Sequence, residues 1–406
     1  MKVLHVNFSD TVGGAARAVQ RIKLACDSVG IFSRVLVLEK LNDSNSSFIV
    51  GNTYSRFLIK LKRRFSSYLT YFLFREHNVH SLSVLDSKLV KYINESEFDI
   101  IHLHWVQGET LSISEIGNIT KPLVWTLHDM WPFCATEHYT EITEWKSGYK
   151  YFKKEWPFFN FSALIFYYKY YKWRNSNFYL IAPSVWLKDC IQESYLFRQN
   201  EVINIPNTVD FNVFKILDKK TCRSRFNLPN DKRLILFGAV GGVSQKRKGY
   251  DLLIDSILKI SDLSIDTEIV VFGGSHVDNC DIPFKIYNIG PINNDHILCM
   301  LFNSCDVFVT PSRQEVFGLV TLESLACGLP VVAFNVGGST DLIESNSSGY
   351  LATPFDTRDF GKGIYSILSN LENFNKTDIR SSVLRKCSFS LVGSSHLNLY
   401  KQILTT

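Results

Sequence analysis

Two glutamates, Glu315 and Glu323, stand eight positions apart in RQEVFGLVTLESLACGLPVVAFNVGGSTDLI, residues 313–343, around a glycine-punctuated apolar run. A pair of carboxylates first suggests an acid and a base. Gly318 is placed to open a helix that Gly328 stops ahead of Pro330. The backbone N–H groups of Phe317, Gly318, Leu319 and Val320 then become donors at a helix start, where an anion is favoured. Carboxylates touching a diphosphate at that point would repel it. Glu315 and Glu323 therefore make better sense as acceptors for sugar or ribose hydroxyls, flanking a phosphate held by backbone amides and Lys248.

Three other constellations carry chemistry. FGAVGGVSQKRKGYDLL brings Lys246, Arg247 and Lys248 to a helix expected to start near Gly249. Cations oppose the dipole at a helix N-terminus, so they make more sense with an anion between them; a solvated basic turn is the plainer alternative. The segment lacks the G-x-x-x-x-G-K-[ST] of a Walker loop, which counts against an ATPase. NFSDTVGGAARAVQ places Gly13 and Gly14 where a strand gives way to a helix, so that a ligand can approach the backbone, with Arg17 in the first turn. It is not G-x-G-x-x-G. In TLHDMWPFC, His128 and Asp129 follow a strand, a position suited to polar substrate contact or proton handling. HLHW sets His102 and His104 on one strand face, a spacing that metals use, but no third ligand is near in sequence. No metal is expected, and His104 and Trp105 are assigned to an acceptor side together with Arg17 and Asp129.

The elements that must hold these residues alternate in type. Aliphatic runs at 2–8, 33–39, 98–105, 121–128, 178–184 and 201–206 read as strands separated by helix-period segments, and a second series follows at 233–240, 267–274, 284–290, 306–312 and 329–335. This is an α/β chain of two doubly wound parallel sheets. Turn residues in IPNTVDFNVF place the boundary at 208, giving domains 1–208 and 209–388, with 389–406 as a C-terminal helix packing back toward the first. In open parallel sheets ligands bind beyond the carboxyl ends of the strands, where all four constellations fall.

Composition narrows the class. The 406 residues hold 44 basic and 39 acidic side chains, a balance too even to imply nucleic acid. Nine scattered cysteines without a C-x-x-C pair fit neither a disulfide framework nor a zinc site, and point to a reducing cytoplasm. The N-terminal MKVLHVNFSD reads as a strand and not an export signal. No apolar window is long enough to span a bilayer.

Taken together, E-x7-E at Glu315 and Glu323, RKG with Lys248, GGA at 13–15, HD at 128–129 and IPNTVD resemble glycosyltransferase family 4, and the likeness runs in order from residue 1 to beyond 350. The resemblance implies a GT-B fold, two Rossmann-like domains facing across a cleft, and a retaining transferase that takes a nucleoside-diphosphate sugar without a metal cofactor. Carried over by position, Glu323 would hold nucleotide ribose hydroxyls and Glu315 the transferred sugar. Lys248 and the amides around Gly318 and Leu319 would hold the diphosphate, Gly13 and Gly14 would close on the phosphate, and His128 would contact the sugar. The family commonly carries an Arg six residues before the Lys; here that position is Gly242, so either Arg247 or Lys246 supplies the second charge or the leaving diphosphate is held more weakly. A GT-B-like epimerase and a non-catalytic sugar-nucleotide-binding protein are the alternatives.

Two segments suggest where an acceptor comes from. Residues 54–75 set apolar side chains at helical spacing among Lys60, Lys62, Arg63 and Arg64, as an interfacial helix would. Residues 156–174 crowd Trp, Tyr and Phe with Lys169 and Lys172. The expectation is a glycan or lipid-linked glycan acceptor, as in bacterial surface polysaccharide assembly, and an enzyme lying peripherally at the inner face of the cell membrane. A basic helix face turned to solvent over a buried apolar one is the alternative.

Overall fold

A computed structural model describes residues 1–41, 47–51, 53–74, 79–149, 161–238, 245–259, 266–274 and 284–405. The chain divides into two compact units, Met1–Pro206 together with Val392–Thr406, and Asn207–Leu391.

The first unit holds a seven-stranded sheet: β1 (Lys2–Ser9), β2 (Phe32–Glu39), β3 (Ser47–Phe48), β4 (Ile100–Leu103), β5 (Leu123–Thr126), β6 (Phe178–Ala182) and β7 (Val202–Asn204). Their order is β3-β2-β1-β4-β5-β6-β7, with every pairing parallel. The second unit holds β8 (Arg233–Gly238), β9 (Thr267–Phe272), β10 (Ile286–Gly290), β11 (Val307–Thr310), β12 (Val331–Phe334) and β13 (Gly349–Ala352), ordered β10-β9-β8-β11-β12-β13 and again all parallel. The edge strands β3, two residues long, and β13, which sets Gly349 and Tyr350 before Leu351 and Ala352, do not register as aliphatic runs in the sequence.

Parallel sheets are covered on both faces, which is why these strands read as unbroken apolar runs. In the second unit the alternation is explicit. Leu234, Leu236, Val270, Phe308, Val331 and Ala333 enter one core cluster, and Ile235, Phe237, Ile269, Val271, Val307 and Val332 enter the other. Each sheet reverses its winding direction once, between β1 and β4 in the first unit and between β8 and β11 in the second. Those reversals are where an open sheet leaves a crevice at the carboxyl ends of its strands.

The C-terminal helix Phe389–Thr405 belongs mostly to the first unit. A Cβ on Gly393 would sit 2.2 Å from the carbonyl oxygen of Ala25, so the glycine lets this helix lie directly on the helix Gly13–Ser28. Tyr400 reaches His102 Nδ1 at 2.6 Å from the same helix.

Candidate functional site

In the second unit the chemistry collects around the winding reversal. Lys246–Lys248 form one 3-10 turn, and Gly249, at φ +70°, hands the chain to the helix Tyr250–Leu258. A Cβ there would meet Pro311 O at 1.9 Å, so only glycine lets the basic turn lie against the end of β11. Arg313 fastens the two segments. Its guanidinium grips Asp251 through two hydrogen bonds of 2.9 and 2.6 Å and donates to Lys246 O, while its backbone N–H donates to Arg247 O at 2.8 Å.

This brings Lys248 Nζ to 2.6 Å from Glu315 Oε2, with Arg247 Nη1 3.7 Å from the same oxygen and also donating to Gln314 O. The Lys248 and Glu315 side chains are only 18% and 16% exposed. Burial pushes the Glu315 carboxyl up, but Lys248, Arg247 and a hydrogen bond from Ser312 outweigh it and leave it below the usual range. Burial, helped by Arg247 and opposed by Glu315, lowers the Lys248 ammonium. A half-dry pocket of two cations and one anion keeps a net positive charge, which suits an incoming anion.

Gly318, at φ +88°, caps the helix Leu319–Ala326. The first N–H groups of any helix lack an intrahelical acceptor, so Leu319 and Val320 bring donors to this place. Phe317, 3% exposed, anchors the loop in the core. Glu323 lies one turn into the helix and is 1% exposed. The segment Gly337–Asp341 completes the loop cluster: Gly338 N–H donates to Glu315 O at 2.7 Å, and a Cβ on Gly337 would come 2.2 Å from that oxygen. Arg313, Gly337 and Gly338 escaped the sequence reading because they act on backbone atoms of distant segments, and Asp251 because its partner is the Arg313 side chain 62 residues away. Gly242 lies outside the described residues; Lys246 is exposed, and its carbonyl is held by Arg313.

In the first unit Gly13, at φ +86°, opens the helix Gly13–Ser28, with Gly14 exposed beside it and Arg17 half-buried in its first turn. At the ends of β4 and β5 the side chains are less accessible than their acceptor-side assignment expects. Asp129 is 3% exposed: its Oδ2 accepts from Trp105 Nε1 at 2.7 Å and bonds His138 Nδ1 at 2.6 Å, and its Oδ1 accepts from Trp131 N–H. It holds Trp105 and His138 in place. His104, 1% exposed, is likewise internal, bonded to His5 on one side and His128 on the other. Trp105 and Arg17 keep partial exposure.

The parallel register also supplies what the spacing of HLHW lacked. His5 pairs with His102, so nitrogens of His5, His102 and His104 lie within 4.8 Å of one another. His102 gives one nitrogen to Tyr400 Oη and the other to Thr126 Oγ1, and His104 has both nitrogens engaged. His102 and His104 thus have both ring nitrogens hydrogen-bonded, whereas among the described residues His5 Nε2 is buried and finds no partner.

Residues 12–213 match the family model described as Glycosyltransferase Family 4, and residues 218–379 the one described as Glycosyl transferases group 1. The chain belongs to glycosyltransferase family 4. It is 29% identical over 198 residues to a D-inositol 3-phosphate glycosyltransferase of Stackebrandtia nassauensis, covering 45% of this chain and 44% of that one. To the capsular polysaccharide biosynthesis glycosyltransferase CapM of Staphylococcus aureus it is 26% identical over 238 residues, covering 55% and 62%. This family 4 chain thus spans about half the length of the curated relatives it matches. Anabaena HepE, solved in complex with UDP-glucose, superposes with a TM-score of 0.66 at 16% identity, covering 99% of this chain and all of that one. At that identity the likeness is one of fold, and the fold is GT-B.

Proposed function

We propose that this family 4 chain transfers a sugar, with retention, from a nucleoside-diphosphate sugar to a glycan or lipid-linked glycan acceptor in capsule, O-antigen or exopolysaccharide biosynthesis. The observation that carries the reading is the convergence of Lys248 and Arg247 on Glu315 at the winding reversal of the second sheet. Lys248 and the amides of Leu319 and Val320 take the diphosphate, Glu315 reads the transferred sugar, and Glu323 reads the ribose. Leaving-group charge is then met by a fixed ammonium and backbone dipoles, with no metal required. Gly13 and Gly14 offer backbone to the phosphate, and His128 touches the sugar. HepE's complex with UDP-glucose and CapM's part in capsular polysaccharide synthesis support the donor class and the pathway.

The acceptor is assigned to a membrane surface. On the helix Thr53–Leu73, Phe57, Leu61, Phe65, Tyr68 and Phe72 are 56–70% exposed, at spacings of three and four. The opposite side is committed inward, with Ile59 buried, Ser66 bonded to Glu109 and Arg63 paired with Glu39. Lys60 and Arg64 are exposed beside the stripe. An apolar stripe rimmed by cations fits an anionic bilayer interface, and a peripheral position at the inner membrane face follows. No described helix is long and apolar enough to cross a membrane.

A panel of nucleotide sugars scored for thermal stabilisation, followed by assay of nucleoside diphosphate release, tests the transferase reading. Stabilisation by one donor and release lost in Glu315→Ala are expected. Stabilisation without release would make the chain a binding protein, and conversion of the donor alone to an isomer would make it an epimerase.

A further inference from the structure

Three imidazoles form a line through the first unit. His5 Nδ1 lies 2.9 Å from His104 Nε2, and His104 Nδ1 lies 3.0 Å from His128 Nε2. His5 and His104 are 0% and 1% exposed, and His128 is half-buried at the end of the line. Each neutral imidazole carries one N–H and one lone pair, so a line of three runs in one direction only. Either His128 donates inward and the last proton ends on His5 Nε2, or His5 donates outward and the last proton ends on His128 Nδ1.

The inner terminus decides. Among the described residues, His5 Nε2 is buried with no hydrogen-bond partner. A proton placed there would be an N–H stripped of water and without an acceptor, and orphaned buried donors are rarer in folded proteins than under-satisfied acceptors. A lone pair at His5 Nε2 is the cheaper ending. The line is also neutral: burial, with His396 and Lys23, lowers His5 to about 3, burial foremost holds His104 well below its ordinary value, and burial lowers His128 to about 4 against the pull of Asp129.

We propose that His5 and His104 are positioning residues that lock His128 as its Nδ1–H tautomer, so that it presents a hydrogen-bond donor and not a lone pair at its outer nitrogen. His128 then donates to an oxygen of the bound donor sugar, and proton abstraction from the acceptor belongs to another group. The identity of that oxygen rests on the transferase reading; the tautomer does not.

Long-range 1H–15N correlation spectra of protein labelled at histidine, at pH 7.5, read the tautomer directly. Protonated Nδ1 and bare Nε2 at His128 are expected, with the reverse pattern in His104→Leu, where the donor to Nε2 is gone. His104→Asn keeps an N–H near the position of Nδ1 and restores the wild-type pattern. In turnover, His104→Leu should lower kcat about tenfold with donor KM nearly unchanged, the size of one hydrogen bond of roughly 1.4 kcal/mol, and His104→Asn should recover most of it. Protonated Nε2 at His128 in the wild type overturns the proposal, as does stoichiometric zinc held by His5, His102 and His104 in the purified protein. If the tautomer is as stated but no nucleotide sugar turns over, the transferase reading fails and the tautomer stands.

Discussion

Lys248 and Glu315 are hydrogen-bonded at 2.6 Å, between the basic turn after β8 and the loop after β11. The carboxylate so held is not a general acid, since two cations keep it ionised. Nor is the lysine a freely swinging surface charge, because burial and Glu315 fix where it sits. Together with Arg247 they leave one buried carboxylate facing two cations, a fixed local excess of positive charge.

This pairing predicts different kinetic faults for the three charged residues. Lys248→Ala should reduce kcat by about a hundredfold or more, the scale seen when one preorganised charge on a developing anion is lost. Glu315→Ala should chiefly reduce turnover, and Glu323→Ala should chiefly raise the donor dissociation constant. A double-mutant cycle on Lys248 and Glu315 should show strong coupling. Equal effects of both glutamates on nucleotide affinity alone would mean that their roles are wrongly divided.

Gly249 and Gly337 permit the close approach of loops that shapes this site. Both have positive φ, and a Cβ would lie 1.9 Å from Pro311 O in one case and 2.2 Å from Glu315 O in the other. Gly249→Ala and Gly337→Ala should each cost about 3 kcal/mol of stability, or displace the loop instead. Urea unfolding of each variant beside its donor affinity separates the two outcomes: a stability loss with normal affinity in Gly337→Ala would show that the loop does not position Glu315.

The strands that carry the site were legible because buried parallel strands are written as apolar runs, and Glu315, Lys248 and His128 because each follows such a run. Three things were not. The edge strands Ser47–Phe48 and Gly349–Ala352 leave no apolar run, the first because it has two residues and the second because Leu351 is its one large aliphatic side chain. Arg313 and Gly337 do their work on backbone atoms of segments far away in sequence, and a residue type carries no record of that. Lys169, read as a headgroup-facing cation among aromatics, is fully buried: its Nζ donates to Trp131 O and Cys134 O and lies 3.4 Å from the Trp131 ring centroid. A lysine that points inward and one that points outward look alike in sequence until the helix is set against its neighbours.

Acid should unfold the first unit early. His5, His128 and His396 are held at about 3, 4 and 4 by burial first of all, against about 6.5 in the unfolded chain. The folded form therefore binds fewer protons than the unfolded one between those values, and stability falls as pH drops from about 6.5 toward 3. At about 3 kcal/mol per group near pH 4, the three together match the whole stability of an ordinary domain. Lys169, lowered to about 7 by burial, works at the other end, adding stability as pH rises from about 7 to 10.5. Urea midpoints measured from pH 4 to 9 should climb throughout, and His396→Leu should flatten the acid limb if it folds; a midpoint flat below pH 6.5 would show that these imidazoles do not stay neutral.

The exposed stripe predicts binding to anionic vesicles. Phe57, Leu61, Phe65 and Phe72 each expose more than half their surface, which a helix buried against its own domain would not do. On the helix Phe161–Trp173, Leu164, Tyr167, Tyr170 and Tyr171 are also 44–59% exposed, giving a second apolar surface in the same unit, whereas residues 156–160 lie outside the described ones. Apolar insertion and cation attraction respond differently to salt, since screening weakens only the second. Flotation with vesicles containing phosphatidylserine should therefore fall with salt but not vanish, and fall much further in Phe57→Ser/Phe65→Ser/Phe72→Ser. Replacing Lys60 and Arg64 with glutamine should remove the salt-sensitive part alone. If wild-type protein stays with the soluble fraction at low salt, the acceptor does not come from a membrane surface by way of this helix.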